Sequence, residues 1–141
     1  MNDDLIEILD HTADLAMRIH AENKSDLFKL SARAVYQAVG KPIAQDIPGE
    51  KYTLELRAGN QEDLLHDWLA EILYYVQVRH ILFDRFEFEA INDTYLKTVA
   101  EGRPLDLTRS EFEVEIKAVT YHHLKIEQTD QGLTATFIFD I

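Results

Sequence analysis

The chain contains no cysteine. Disulfides and thiolate metal sites are thereby excluded, and a bound metal would have to take carboxylate, carbonyl or imidazole ligands. No stretch approaches the roughly 18 to 20 uninterrupted apolar residues of a membrane-spanning helix, so no membrane role is expected. The opening Met1-Asn2-Asp3-Asp4 has no basic region followed by an apolar run. Neither a secretory nor a transit leader is expected, and the cytoplasm is the expected compartment. A Gly-rich phosphate loop and a His-Glu metalloprotease helix are also missing. Positive charge is scarce: 14 Lys and Arg stand against 26 Asp and Glu, a net charge of −12. Such a surface repels phosphate backbones, which argues against direct, high-affinity nucleic-acid binding. An acidic domain can still dock on a basic protein, with opposite fields speeding the encounter. Acidity that serves only solubility is the other reading.

What the chain does have suits one ordinary domain: 141 residues, 46% of them apolar. Its densest polar chemistry is Asp10-His11-Thr12-Ala13-Asp14, set between an apolar run (Leu5, Ile6, Ile8, Leu9) and an alternating one (Leu15, Met17, Ile19). Oxygen ligands turned to one mouth of a fold can converge on a hard metal. A plain turn, with Asp10 or Asp14 bonding nearby amides, is the simpler reading of these five residues alone.

Alternation predicts a strand from Leu15 to Ala21. Ser25 is then the expected N-cap of a helix running to about Val39, with Leu27, Leu30, Ala34 and Ala38 on one stripe and Gly40 as its stop. Tyr52, Leu54 and Leu56 alternate in a further strand. Asn60 caps a second helix, whose Leu64, Leu65, Trp68, Leu69, Ile72, Leu73 and Val76 form a broad apolar face. Glu62, Asp63, Asp67 and Glu71 are expected on a solvated side. The last third reads as β: a hairpin of residues 81–89 with 95–101 that Gly102-Arg103-Pro104 ends, an exposed segment from Leu105 to Glu111, an alternating strand through Phe112, Val114, Ile116 and Ala118 towards His122, and a hairpin turning at Asp130-Gln131-Gly132. The fold class is α/β of the α+β type: two helices packed on a mostly antiparallel sheet in a single domain.

The sequence ends inside strand pattern, at Phe139-Asp140-Ile141. A carboxylate side chain and a terminal carboxylate held side by side repel unless a cation or donors offset them. With Asp14 alongside, the cluster would favour calcium or magnesium over zinc. An end with both groups free in water is the alternative.

Asp10-His11-Thr12-Ala13-Asp14, the helix Asp67-Trp68-Leu69-Ala70-Glu71-Ile72-Leu73-Tyr74, the run Lys117-Ala118-Val119-Thr120-Tyr121-His122 and the ending Phe139-Asp140-Ile141 together resemble the archease family, in that family's order and near its spacing. The resemblance spans essentially the whole chain and implies a compact domain with two helices on a mostly antiparallel sheet. It implies a function as well: activation of the tRNA-splicing RNA ligase, by promoting its guanylylation, widening its choice of nucleotide and supporting repeated turnover. The metal site it implies, for calcium or another hard divalent cation, maps to Asp14, Asp140 and Ile141. His11, Lys117 and His122 fall in family motifs and are expected to support ligands or contact the partner, while His123 stands where many relatives carry a small residue. Two other functions remain open: a metal-dependent hydrolase with Asp14 and Asp140 as ligands and His11 or His122 as general base, and a general chaperone.

Overall fold

The computed structural model describes residues 5–9 and 14–141. Its strands pair antiparallel throughout. The first, β1 (Ile6–Leu9), lies beside β2 (Asp14–Ala21), and both belong to a five-stranded sheet together with β8 (Ala118–Val119), β9 (Lys125–Thr129) and β10 (Gly132–Asp140). Inside it β10 pairs with β2 along one side and with β8 and β9 along the other. A three-stranded sheet is built from β4 (Glu50–Arg57), β6 (Tyr95–Pro104) and β5 (Ile81–Ile91), in that order. The short strands β3 (Gly40–Lys41) and β7 (Glu111–Phe112) make a separate ribbon.

Helix α1 (Lys24–Val39) packs on β2 and β10 and reaches β5, while α2 (Gln61–Tyr74) packs on β4, β8 and β9. The helices therefore hold the two larger sheets together, and their mutual contact is fixed by a polar bond: the Trp68 indole N–H donates to the Phe28 carbonyl at 2.8 Å. Trp68 is fully buried and meets Phe86 edge-on at 5.2 Å between ring centres. The bulky apolar positions expected on the second helix, Leu64, Leu65, Trp68, Leu69, Ile72 and Leu73, are all in the core. A buried ring with its N–H satisfied loses little to desolvation, so the large apolar area of Trp68 acts as net stabilisation.

Helix ends follow local chemistry. Asn23, not Ser25, caps α1: its side chain accepts from the Asp26 N–H at 2.9 Å, and the Ser25 hydroxyl donates to that same Asn23 oxygen. A Ser-for-Asn choice two residues off is an error that cap preference alone invites, since both are good caps. Asn60 caps α2 as expected, through the Asp63 N–H. Gly40 ends α1 at φ +136°, where an added Cβ would collide with the Glu111 carbonyl across the ribbon. Glycine there allows the turn and the close pairing together. Beyond Tyr74 the second helix widens into one π turn, Tyr75–Arg79, and stops at His80 in left-handed conformation.

Two β expectations need correction. The 81–91 hairpin continues through Gly102-Arg103-Pro104, with Ile81 opposite Pro104, because proline at the strand's last position has no ladder N–H to give up. The alternating run 112–118 is not one strand. Its backbone partners come from unconnected places: Glu113 N–H donates to Val39, Ile116 bonds the Gln77 side chain, and Lys117 N–H donates to Asp140. Regular pairing survives only at β7 and β8. Within the segment expected to be exposed, Leu105 is buried, and the turn after it is held by Asp106, which accepts from Thr108 and Arg109.

Candidate functional site

The site follows from strand register. In β2 and β10 the apolar pairs Leu15 with Phe139, Met17 with Phe137 and Ile19 with Ala135 face the helices. Alternation places the intervening pairs on the opposite face. There Arg18 Nε donates to Thr136 Oγ1 at 3.4 Å, and His20 Nδ1 lies 3.2 Å from Thr134 Oγ1. The outermost rung on that face is Asp14 opposite Asp140. Directly opposed residues of an antiparallel pair have Cβ atoms about 4.5–5.5 Å apart, so two carboxylates share one edge. Both residues are half-buried, and among the described residues no cationic side chain is paired with either.

Asp140 is held from both sides. Beyond Asp14 on one flank, its carbonyl accepts from Lys117 N–H at 2.7 Å on the other, and Ala118 lies opposite it in β8. Ile141 follows directly, with its side chain packed against the core. Position 141 is thus anchored directly after the Asp14–Asp140 rung. Lys117 is exposed and immediately adjacent in β8's approach. His122 is exposed in the turn after β8, where its N–H donates to Thr120 Oγ1 at 3.3 Å. His123 beside it has a left-handed backbone, φ +52°. His11, like Asp10, Thr12 and Ala13, lies outside the described residues.

Asp14 and Asp140 offer oxygen donors, which suit a hard cation. Among the described residues no three His, Cys, Asp or Glu side chains gather as a metal-holding group. Among the described residues the fit is two facing carboxylates with no paired cation.

Several supporting side chains carried no distinct sequence signal. One open side of the five-stranded sheet is closed by α2 and the π turn that follows. Glu62 Oε2 accepts from Ile126 N–H at 3.0 Å, His66 Nε2 donates to the Val119 carbonyl at 2.9 Å, and the Gln77 amide both donates to and accepts from Ile116 at 2.9 Å. Glu62 was expected in solvent; it serves the sheet because its carboxylate satisfies a strand N–H that has no neighbouring strand. His66 is mostly buried, stacked on Tyr121 at 3.9 Å with Asp67 Oδ1 3.1 Å from its other nitrogen. Through Val119 and Ile116, these contacts fix the segment that flanks Asp140.

Several titratable groups are shifted by their surroundings. The Thr108 hydroxyl and the Arg109 guanidinium hold the Asp106 carboxyl down to about 2. A hydrogen bond from His20 lowers Glu7, and burial raises the Tyr36 phenol, whose hydroxyl accepts from Phe83 N–H.

Comparison with known proteins gives this geometry a context. The chain is 35% identical over 138 residues to the protein archease of Methanopyrus kandleri, covering 96% of this chain and 98% of that one. It is 37% identical over 141 residues to the protein archease of Methanosarcina barkeri, covering 96% and 94%. Its fold matches the solution structure of Methanobacterium thermoautotrophicum protein 1598 with a TM-score of 0.74 at 24% identity, over 97% of this chain and 99% of that one. It also matches the crystal structure of a Thermotoga maritima archease, described as a possible chaperone, with a TM-score of 0.71 at 22% identity over 94% of each chain. The model of the Archease protein family matches residues 6–141, the span that includes both facing carboxylates and the helices that brace them, and the chain belongs to that family.

Proposed function

We propose that this protein is an activator of the tRNA-splicing RNA ligase, regulatory rather than catalytic, acting by promoting the ligase's guanylylation, its turnover and its use of a wider range of nucleoside triphosphates. The observation that carries the reading is the Asp14–Asp140 rung, two carboxylates opposed at the end of β2 and β10. Asp14, Asp140 and the Ile141 carboxylate would hold calcium or another hard divalent cation, which supplies positive charge to an otherwise repulsive cluster. The backbone of Asp140 is fixed by its pairing with β2 and β8, which supports a rung that is in place before any cation arrives. Lys117 and His122, exposed on the flank, and His11 are the residues we assign to partner contact. The net charge of −12 suits docking on a basic enzyme and disfavours direct capture of RNA.

The test is multiple-turnover ligation of a broken RNA stem-loop by the cognate ligase, with wild-type protein and with Asp14→Ala. Stimulation by the wild type alone ties the rung to activation. Equal stimulation by both would overturn the site, and none by either, with an active ligase, would overturn the function.

A general chaperone is the second reading. Ile43, Ile47, Tyr74, Val78, Leu107 and Phe112 are large apolar residues left exposed on segments near the C-terminal ends of the two helices. Suppressed aggregation of unrelated clients would favour it, and an effect confined to the ligase would eliminate it.

A further inference from the structure

The second helix does not finish as an α-helix. In the turn Tyr75–Arg79 the His80 N–H bonds back to the Tyr75 carbonyl, five residues away, and the left-handed backbone of His80 stops the helix. A π turn has poorer hydrogen bonds than the α-helix it interrupts, and such turns are frequent at functional sites. The polar residue this one turns inward is Gln77, half-buried beside exposed Val78 and Arg79. Its amide meets both backbone groups of Ile116: Nε2 donates to the carbonyl and Oε1 accepts from the N–H, each at 2.9 Å. Those are the two bonds that an opposed residue exchanges in an antiparallel ladder, supplied here by one side chain.

The residue after Ile116 is the one that reaches the carboxylate rung. Lys117 N–H donates to the Asp140 carbonyl at 2.7 Å, and Ala118 pairs with Asp140. Asp140 is the last residue of β10, and residues 113–117 lie outside any strand. Strand ends open before strand centres do. Repulsion from Asp14, opposed across the rung, pushes in the same direction. Against this, His66 holds the Val119 carbonyl with one bond, while Gln77 holds Ile116 with two and stands next to Lys117.

We infer that Gln77, aimed by the π turn, is a positioning residue for cation binding at the Asp14–Asp140 rung: by clasping Ile116 it keeps the Lys117 N–H on the Asp140 carbonyl and holds the end of β10 in register with β2. The inference rests on the cation reading of that rung. Without the clasp both backbone groups of a buried residue lose their partners, so an open flank in which water takes them up gains population. A site competent in only part of the population binds more weakly by that fraction.

The test is terbium luminescence with calcium as competitor, on full-length wild type, Gln77→Met and Tyr36→Phe, each well below its melting temperature. Methionine keeps the side-chain length and neither bond; Gln77→Asn, the same amide on a stem too short to reach, is the second variant should methionine fail to fold. Tyr36→Phe removes a bond of the same kind, to the Phe83 N–H, in the other sheet. It therefore controls for lost stability alone. Calcium affinity is expected to fall about tenfold in either Gln77 variant and to hold in Tyr36→Phe. Terbium lifetimes in water and deuterium oxide should report about one more bound water in the Gln77 variants, as Asp140 is lost from the coordination shell. Amide exchange at Lys117, measured without any cation, should quicken in them too. Unchanged calcium affinity in the Gln77 variants, an equal loss in Tyr36→Phe, or unchanged Lys117 exchange would overturn the inference and leave the rung's cation reading standing. No cation binding by the wild type would overturn that reading, and the inference with it.

Discussion

Replacing Asp14 by Asn should make the protein more stable in chelator and less stable, relative to wild type, in calcium. The two carboxylates of the Asp14–Asp140 rung face each other with no compensating cation among the described residues. At about 5 Å and a water-like dielectric their repulsion is about 0.8 kcal/mol, inside the range of about 0.2–1 kcal/mol for cross-strand charge pairs. Asp14→Asn removes that repulsion and keeps the side-chain volume, so a gain of about 0.5 kcal/mol is expected without divalent cations. For a domain of this length that is about 1–2 °C in melting temperature. Saturating the site at a hundredfold excess over Kd should stabilise the wild type by about 2.7 kcal/mol, and the variant by far less. The order of the two melting curves therefore inverts on adding calcium. Thermal melts by circular dichroism, in chelator and in excess calcium at one ionic strength, read this directly. A variant less stable than wild type in chelator would refute the repulsion. Equal calcium stabilisation of both proteins would place the cation elsewhere, and Asp140→Asn must behave in the same way. A glycine added after Ile141 tests the third ligand by moving the terminal carboxylate while leaving the rung intact.

Other consequences can be checked on the purified chain. Thr98 is fully buried with its hydroxyl unpartnered among the described residues, so Thr98→Val should raise stability by about 1 kcal/mol, seen as a higher urea midpoint at unchanged m-value. Gln77→Ala leaves the N–H and carbonyl of buried Ile116 without partners and should cost about 2 kcal/mol, with faster amide exchange at Ile116. Asp106 has a folded value of about 2 against an ordinary 3.8, so its contribution to the 106–110 turn is complete above pH 3.8 and is lost as pH falls through about 2. Amide chemical shifts of Thr108 and Arg109 should titrate in that window, and shifts that stay flat would remove Asp106 as the turn's anchor.

The parts of the fold that could be read from sequence are those with local causes. The long apolar face of α2, the Asn60 cap and the turn at Asp130-Gln131-Gly132 each announce themselves within a few residues. Asp14 and Asp140 were both legible as candidates, but their meeting depends on the register of strands more than a hundred residues apart. The edge formed by Glu62, His66 and Gln77 was not legible, because a polar helical residue facing a strand's backbone looks the same in sequence as one facing water. For the same reason the 112–118 pattern reads as a strand: alternation records which side is buried, not which groups take up the backbone hydrogen bonds.

That helix-sealed edge has a consequence for the behaviour of crowded or newly made chains. Where α2 and its π turn occupy the N–H of Ile126, the carbonyl of Val119 and both groups of Ile116, an incoming strand finds its hydrogen bonds already spoken for. The protection lasts only while the second helix is docked. Brief undocking would uncover a β-rich margin next to Phe112 and Tyr121, both exposed, so self-association should be governed by the opening rate of that helix rather than by global unfolding.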